Sequence, residues 1–153
     1  MCLYIKHRHK IPFVRKWKAK KLHRDLVVYK NLGTNPRVGL NTPYQNMKIA
    51  FNSDGLFISE PYYKEEFEGL GVWDNKIGYP EKTAYGYHAF LNLDAAAGNM
   101  LSACSEHIST YKAVIPKGAY VFYGENSDIC ASQIIITDKV MQIKRDRWTV
   151  IKL

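Results

Sequence analysis

The chain has 153 residues and carries 22 Lys and Arg against 14 Asp and Glu, a formal net charge of +8. With 46% hydrophobic and 24% charged residues it has the balance of a folded domain, which excludes collagen-like, coiled-coil and disordered classes. No apolar run approaches the roughly 18 to 20 residues that cross a bilayer as a helix, so no membrane role is expected.

The charge is uneven. Residues 1–30 hold ten cations and one acid, Asp25, leaving +9, and the remainder is balanced at −1. Residues 1–24 are expected to form a basic N-terminal arm, flexible or loosely helical, ahead of a single α+β domain over 25–153. Arg15, Lys16, Trp17, Lys18, Lys20, Lys21 and Arg24 are the polyanion-binding candidates. Their cations would neutralise phosphates and Trp17 would stack on a base, contacts that weaken steeply with salt. The apolar residues Val14, Trp17 and Leu22 form too small a stripe to anchor the arm on a membrane. A solvated extension that keeps the protein soluble is the plainer alternative.

From Asp25 onward, short β-type runs alternate with turn clusters. Residues 26–30 (LVVYK) read as a strand rich in β-branched side chains. The segment NPRVGLNTPYQN, with two prolines and a glycine, reads as a loop. Residues 47–51 and 55–59 flank Asn52-Ser53-Asp54-Gly55 and read as a hairpin. Residues 60–71 can start a helix, with Ser59 near its cap and Pro61 in the first turn, or form an edge strand. Residues 72–85 read as a surface loop. Residues 86–91 read as a strand, followed by a helix that starts at Asn92 or Asp94, with Asp94 as cap and Met100, Cys104 and Ile108 on its inner stripe.

The last third reads as sheet. Strands are expected at 110–115, 119–123 and 133–137, with a tight Pro116-Lys117-Gly118 turn between the first two. Residues 140–144 and 147–152 alternate around Arg145-Asp146 as a terminal hairpin. The fold class is therefore α+β, mostly antiparallel, with one or two helices.

Cys2, Cys104 and Cys130 are too few for a disulfide framework, which points to a reducing, cytoplasmic setting, bacterial or that of an infected host. The start MCLYIKHRHK lacks the apolar stretch of a secretory signal. Cys104-x2-His107 and His7-x-His9 are lone pairs, whereas a zinc site needs about four ligands; no metal is expected.

His88, flanked by Tyr87 and Phe90, is the leading candidate for chemistry, because imidazole titrates near neutrality. Strand alternation lets only one of Tyr87 and His88 face a given cleft. Tyr44 in the Thr42-Pro43-Tyr44 loop and Lys117 in the turn are further ligand-binding candidates. Each has a plainer reading as a turn former or a solvated cation. Tyr62, Tyr63, Tyr79, Tyr85 and Tyr87 cluster in a segment suited to anchoring a protein interface.

The order VVYK, GYHAF running into NLDAAAGNM, YKAVIPKGAYVF and SQIII resembles small uncharacterised proteins of phages, prophages and gut bacteria that begin Met-Cys-Leu and share an IPKG segment. It is also similar to a domain of unknown function attached to pentapeptide-repeat proteins. More distantly, over about residues 26–137, it resembles the ADP-ribosyltransferase fold. That resemblance implies an NAD cleft, with Tyr29 and Lys30 where poly-type transferases carry a His and Tyr87 or His88 as the nicotinamide-stacking residue. Ser132 or Gln133 falls where the catalytic Glu stands, and Glu125 is a nearby substitute. A neutral amide at 133 can hydrogen-bond the sugar but cannot offset a developing positive charge.

The leading expectation is a small accessory protein of a phage or mobile element that binds a nucleotide-like or nucleic-acid ligand without catalysis and without a cofactor. One alternative is an ADP-ribosyltransferase-like or NAD-consuming enzyme using Tyr29, His88 and Glu125. Another is a structural or inhibitory protein-interaction module with a protein partner.

Overall fold

The computed structural model describes residues 3–6, 9, 18–35, 39–42, 47–69, 72–73, 82–83, 86–102, 108–144 and 149–153. In chain order its elements are β1 (Leu3–Tyr4), β2 (Lys20–Lys21), β3 (Leu26–Asn35), β4 (Gly39–Asn41), β5 (Phe57–Ile58), α1 (Lys64–Gly69), β6 (Val72–Trp73) and β7 (Lys82–Thr83). They continue with β8 (Tyr87–Phe90), α2 (Leu93–Ser102), β9 (Ile108–Ile115), β10 (Tyr120–Tyr123), β11 (Asp128–Ala131), β12 (Ile135–Lys144) and β13 (Thr149–Lys152). The main sheet runs β13-β12-β9-β3-β8-β11-β10-β2, with β4 on β3 and β5 on β12, and β1-β7-β6 form a small second sheet. All these pairings are antiparallel. The protein is thus α+β and dominated by antiparallel strands.

One connection shapes the sheet. β11 and β12 stand four places apart in the strand order, yet only residues 132–134 join them. Four spacings in a flat sheet would separate them by about 19 Å. The step from Ala131 to Ile135 spans at most about 14 Å. The sheet therefore has to curl, and its twist and the register shifts in β12 near Lys139 help it do so.

The concave face holds the main core, with Val28, Leu32, Ala113, Ile115, Val121, Ile129 and Ile136 nearly fully buried. The seam of the curl is stitched by Ser59, whose N–H donates to the Ile134 carbonyl at 3.0 Å and whose hydroxyl accepts from Ile134 N–H at 2.8 Å. Ser132 closes the other side. Its N–H donates to the Tyr120 carbonyl at 2.8 Å, its hydroxyl accepts from Tyr120 N–H at 2.9 Å, and its carbonyl accepts from Tyr62 N–H at 2.9 Å.

On the convex face, α2 covers Phe90, Ile108 and Met141. A polar staple joins it to the sheet: Asn31 Nδ2 donates to the Ala96 carbonyl at 2.9 Å, and the Thr110 hydroxyl donates to Asn31 Oδ1. Farther along, Val27, Val114, Ile135 and Ile58 are successive cross-strand partners. Val27 is 44% and Ile58 55% exposed, so this row contributes cross-strand packing without a cover.

Several local expectations are corrected. The proline-bearing loop contains β4, paired to β3 across Gly39, whose φ of 86° suits the tight return. The Asn52 turn exists, held by the Asn52 side chain on Asp54 and Leu56 N–H. Its flanks pair elsewhere: Lys48 bridges Asn41 and β5 joins β12. The helix near residue 60 starts at Lys64, because Ser59 is committed to the seam. The cap of α2 is Asn92, whose Oδ1 accepts from Ala95 N–H at 2.8 Å, in place of Asp94. Ile108 opens β9, and β11 was not expected at all. Residues 72–73 and 82–83 are strands within the expected surface loop.

Where it is described, at residues 3–6, 9 and 18–24, the leading segment is tied to the sheet. Lys20–Lys21 pair with β10, Ile5 bridges Gly124, and Ile5, Ala19 and Leu22 are buried. His9 clips the segment down: its Nε2 accepts from Tyr123 N–H at 3.0 Å and its Nδ1 lies 3.1 Å from the Lys18 carbonyl. That pattern fits one neutral tautomer, with the proton on Nδ1.

Gly86 sits where the chain enters β8 with φ of +104°. A Cβ there would fall 2.6 Å from Cys130 Sγ and 2.7 Å from Phe67 Cε2. Gly86→Ala is expected to destabilise the fold by about 3 kcal/mol, through the backbone strain and the overpacking together. Denaturant unfolding checks this; a change below about 0.5 kcal/mol contradicts the packing.

Candidate functional site

The central Tyr-His pair divides between the two faces of the sheet. Tyr87 points into the concave core, is 7% exposed, and donates its hydroxyl to the Glu60 carbonyl at 2.8 Å. His88 takes the opposite face, and its Nε2 is buried with no hydrogen-bond partner. Burial, reinforced by the charge of Lys30, lowers the His88 pKa to about 3. That shift favours the neutral ring at physiological pH and moves it away from the range where imidazole exchanges protons readily.

Lys30 explains part of this arrangement. β3 and β8 share a single paired position, Tyr29 with Phe90. Leu91 N–H turns toward β11, to the Ser127 carbonyl, so by alternation the His88 carbonyl faces β3. There Lys30 Nζ donates to it at 2.6 Å, supplying the ladder bond that the diverging strands lack. Lys30 is 8% exposed, and burial lowers its pKa to about 8, partly opposed by Cys130. Its ammonium is engaged in the sheet, not offered to a ligand.

The remaining candidates scatter. Tyr29 packs in the cluster under α2. Glu125 is exposed in the turn after β10. No hydrogen bond joins any two of Tyr29, His88 and Glu125 among the described residues. Tyr44 lies outside the described residues, although Thr42 closes its loop by exchanging bonds with Met47. Arg15, Lys16 and Trp17, with His7, Cys104 and His107, also fall outside them.

Lys117 and Gln133 do come together. A cleft of about 510 Å³ opens over the seam, between residues 61–65, the 117–120 turn and the 132–133 connector. Tyr63 stands on its rim at 76% exposure. Lys64 Nζ lies 5.8 Å from the Tyr120 ring centroid and 3.7 Å from Glu68 Oε1. The Lys117 turn is anchored because its N–H donates to Asp25 Oδ1 at 2.7 Å, and Gly118 N–H donates to the Leu22 carbonyl. Gln133 Nε2 is 3.5 Å from the Ser59 carbonyl, at the long limit of a hydrogen bond.

The basic edge adjoins this cleft. β2 ends the strand order, with Lys21 opposite Tyr120 and Lys20 opposite Val121. Lys18, Lys20, Lys21 and Arg24 are all exposed, and Lys20 Nζ lies 5.9 Å from the Tyr123 ring centroid. Residues 18–24 contain these four cations and no acid. Lys64 and Tyr120 are the site residues that sequence reasoning missed, whereas Tyr63 belongs to the tyrosine cluster suited to anchoring a protein interface. Only the crowding of tyrosines at 62–63 hinted at the site.

Among the described residues no three His, Cys, Asp or Glu side chains cluster, and no helix is long and apolar enough to cross a membrane. Comparison with protein-family models, curated proteins and solved structures finds no match, so no neighbour supports the resemblance to ADP-ribosyltransferases.

The buried pair makes stability pH-dependent. His88 titrates near 6.5 when unfolded and at about 3 when folded, so the unfolded chain binds more protons between those values and stability falls as pH drops through them, by several kcal/mol in all. His88→Phe is expected to flatten that acid limb in CD-monitored unfolding; Asp128, raised by burial, works in the opposite sense in both proteins and cancels. Lys30, lowered to about 8 from 10.5, makes stability rise with pH between those values by the same linkage. Lys30→Met should remove this rise. Acid or alkaline limbs that coincide with the parent's contradict the burial of the respective group.

Proposed function

We propose that this protein binds nucleic acid, without catalysis, along the basic edge formed by β2 and β10. The observation that carries the reading is the placement of Lys20 and Lys21. They are held in a strand beside the rings of Tyr120 and Tyr123, with Lys18 and Arg24 exposed on either side. Cations carried on a paired strand require little backbone ordering on meeting phosphates, and neighbouring aromatic faces suit bases. The local acid Asp25 is taken up by the Lys117 N–H. Catalysis through Tyr29, His88 and Glu125 is unsupported, because a neutral, enclosed imidazole and an unconnected carboxylate form no working set.

A second reading rests on the same strand. Lysines on an edge strand discourage sheet-to-sheet aggregation, and Lys20 and Lys21 end the main sheet. The two readings separate in one experiment. Lys20→Ala/Lys21→Ala is expected to weaken binding to an oligonucleotide and to reduce the slope of log affinity against log salt by about 1.5 to 2, measured by fluorescence anisotropy. An unchanged slope together with new self-association in sedimentation supports edge protection and overturns the binding reading.

A further inference from the structure

We propose that the cleft over the seam holds one unstacked base of a single-stranded nucleic acid, a reading that rests on the nucleic-acid function above. Tyr63 is the stacking platform, Lys64 and Lys117 take the flanking phosphates, and the Gln133 amide meets the base edge.

Tyr63 is the starting point. A tyrosine 76% exposed contributes little to the fold, yet its backbone is held. Its carbonyl accepts from Phe67 N–H at 3.0 Å in the first turn of α1, and the preceding Tyr62 N–H is bound to the Ser132 carbonyl. The ring is therefore presented from a fixed base, and stacking a ligand on it orders little additional chain. Tyr120 gives the opposite wall a second aromatic surface, with Lys64 poised above it.

The charges sit where a strand's phosphates would run. Lys64 and Lys117 line the cleft, with one carboxylate, Glu65, also among its lining residues, and Lys21 follows directly through its pairing with Tyr120. Glu68 lies 3.7 Å from Lys64 through Oε1 and accepts from the Ala19 N–H at 2.9 Å through Oε2, so the ion pair with Lys64 is a long one. Among the described residues the Gln133 side chain has only its long contact to the Ser59 carbonyl, and both its donor and acceptor can turn toward a base. The volume, about 510 Å³, lies within the range of small-ligand sites. A duplex keeps its base faces stacked and cannot offer one to Tyr63, whereas single strands splay bases onto aromatic side chains.

The test uses the full chain and labelled probes of about 12 nucleotides: oligo-dT, oligo-U and a duplex of equal length. Tyr63→Ala is expected to weaken single-strand binding about 5- to 100-fold and leave duplex binding unchanged, with Tyr63→Phe restoring it. Tyr63 is exposed, so the variant keeps its fold. A further oligo-dU probe, which differs from oligo-U in the sugar alone, assigns the sugar. If Tyr63→Ala alters neither probe class, or both equally, while Lys20→Ala/Lys21→Ala still weakens binding, the cleft assignment is overturned and the basic edge stands. If the parent protein binds none of the probes at low salt, both fall.

Discussion

Residues 132–134 have to carry the chain from β11 to β12, and this short step is the constraint on which the rest depends. It cannot be met by a flat sheet, because the strands it joins have three others between them. Curling the sheet satisfies it and encloses Val28, Leu32, Val121, Ile129 and Ile136 in one core. The same step leaves a seam, stitched through the polar atoms of Ser59 and Ser132. A serine suits each position because its hydroxyl supplies the acceptor that a neighbouring N–H would otherwise lack in a buried place. The cleft is the part of that seam left open to solvent.

The second consequence concerns charge. The positive excess of the first thirty residues is not carried on a loose tail where it is described. His9, buried among aromatic rings, fixes the path of the segment at Lys18 and Tyr123, and β2 then aligns with β10. Cations and seam thus become neighbours through strand pairing. The interior solves a different problem. Where β3 and β8 diverge, Lys30 replaces a missing ladder bond at the cost of desolvating an ammonium, and its charge in turn helps keep His88 neutral. The Lys30 side chain thus holds strands together, and His88 takes part through its backbone carbonyl.

Much of the secondary structure was legible. β3, β8, β9, β10 and the β12–β13 hairpin announce themselves by β-branched or aromatic residues and by turn chemistry at 116–118. β11 did not, because Asp128, Ile129, Cys130 and Ala131 are all buried and so show no alternation. β4 was masked by its proline and glycine neighbours, although only three residues were needed to pair. The curl was illegible because it follows from strand order, a non-local property. The cleft was illegible for the same reason, since its walls come from residues 61–65, 117–120 and 132–133. Lys117 and Gln133 were singled out for a turn position and a family resemblance, and neither argument foresaw that they would share a cleft.

The most direct measurement is backbone NMR of the labelled protein titrated with a short single-stranded oligonucleotide. The account predicts that shift changes concentrate on residues 18–24, 61–65, 117–120 and 132–133, leaving 29–30 and 87–90 in place. Changes centred on Tyr29, Lys30 and His88, or none on the basic edge at low salt, would contradict it.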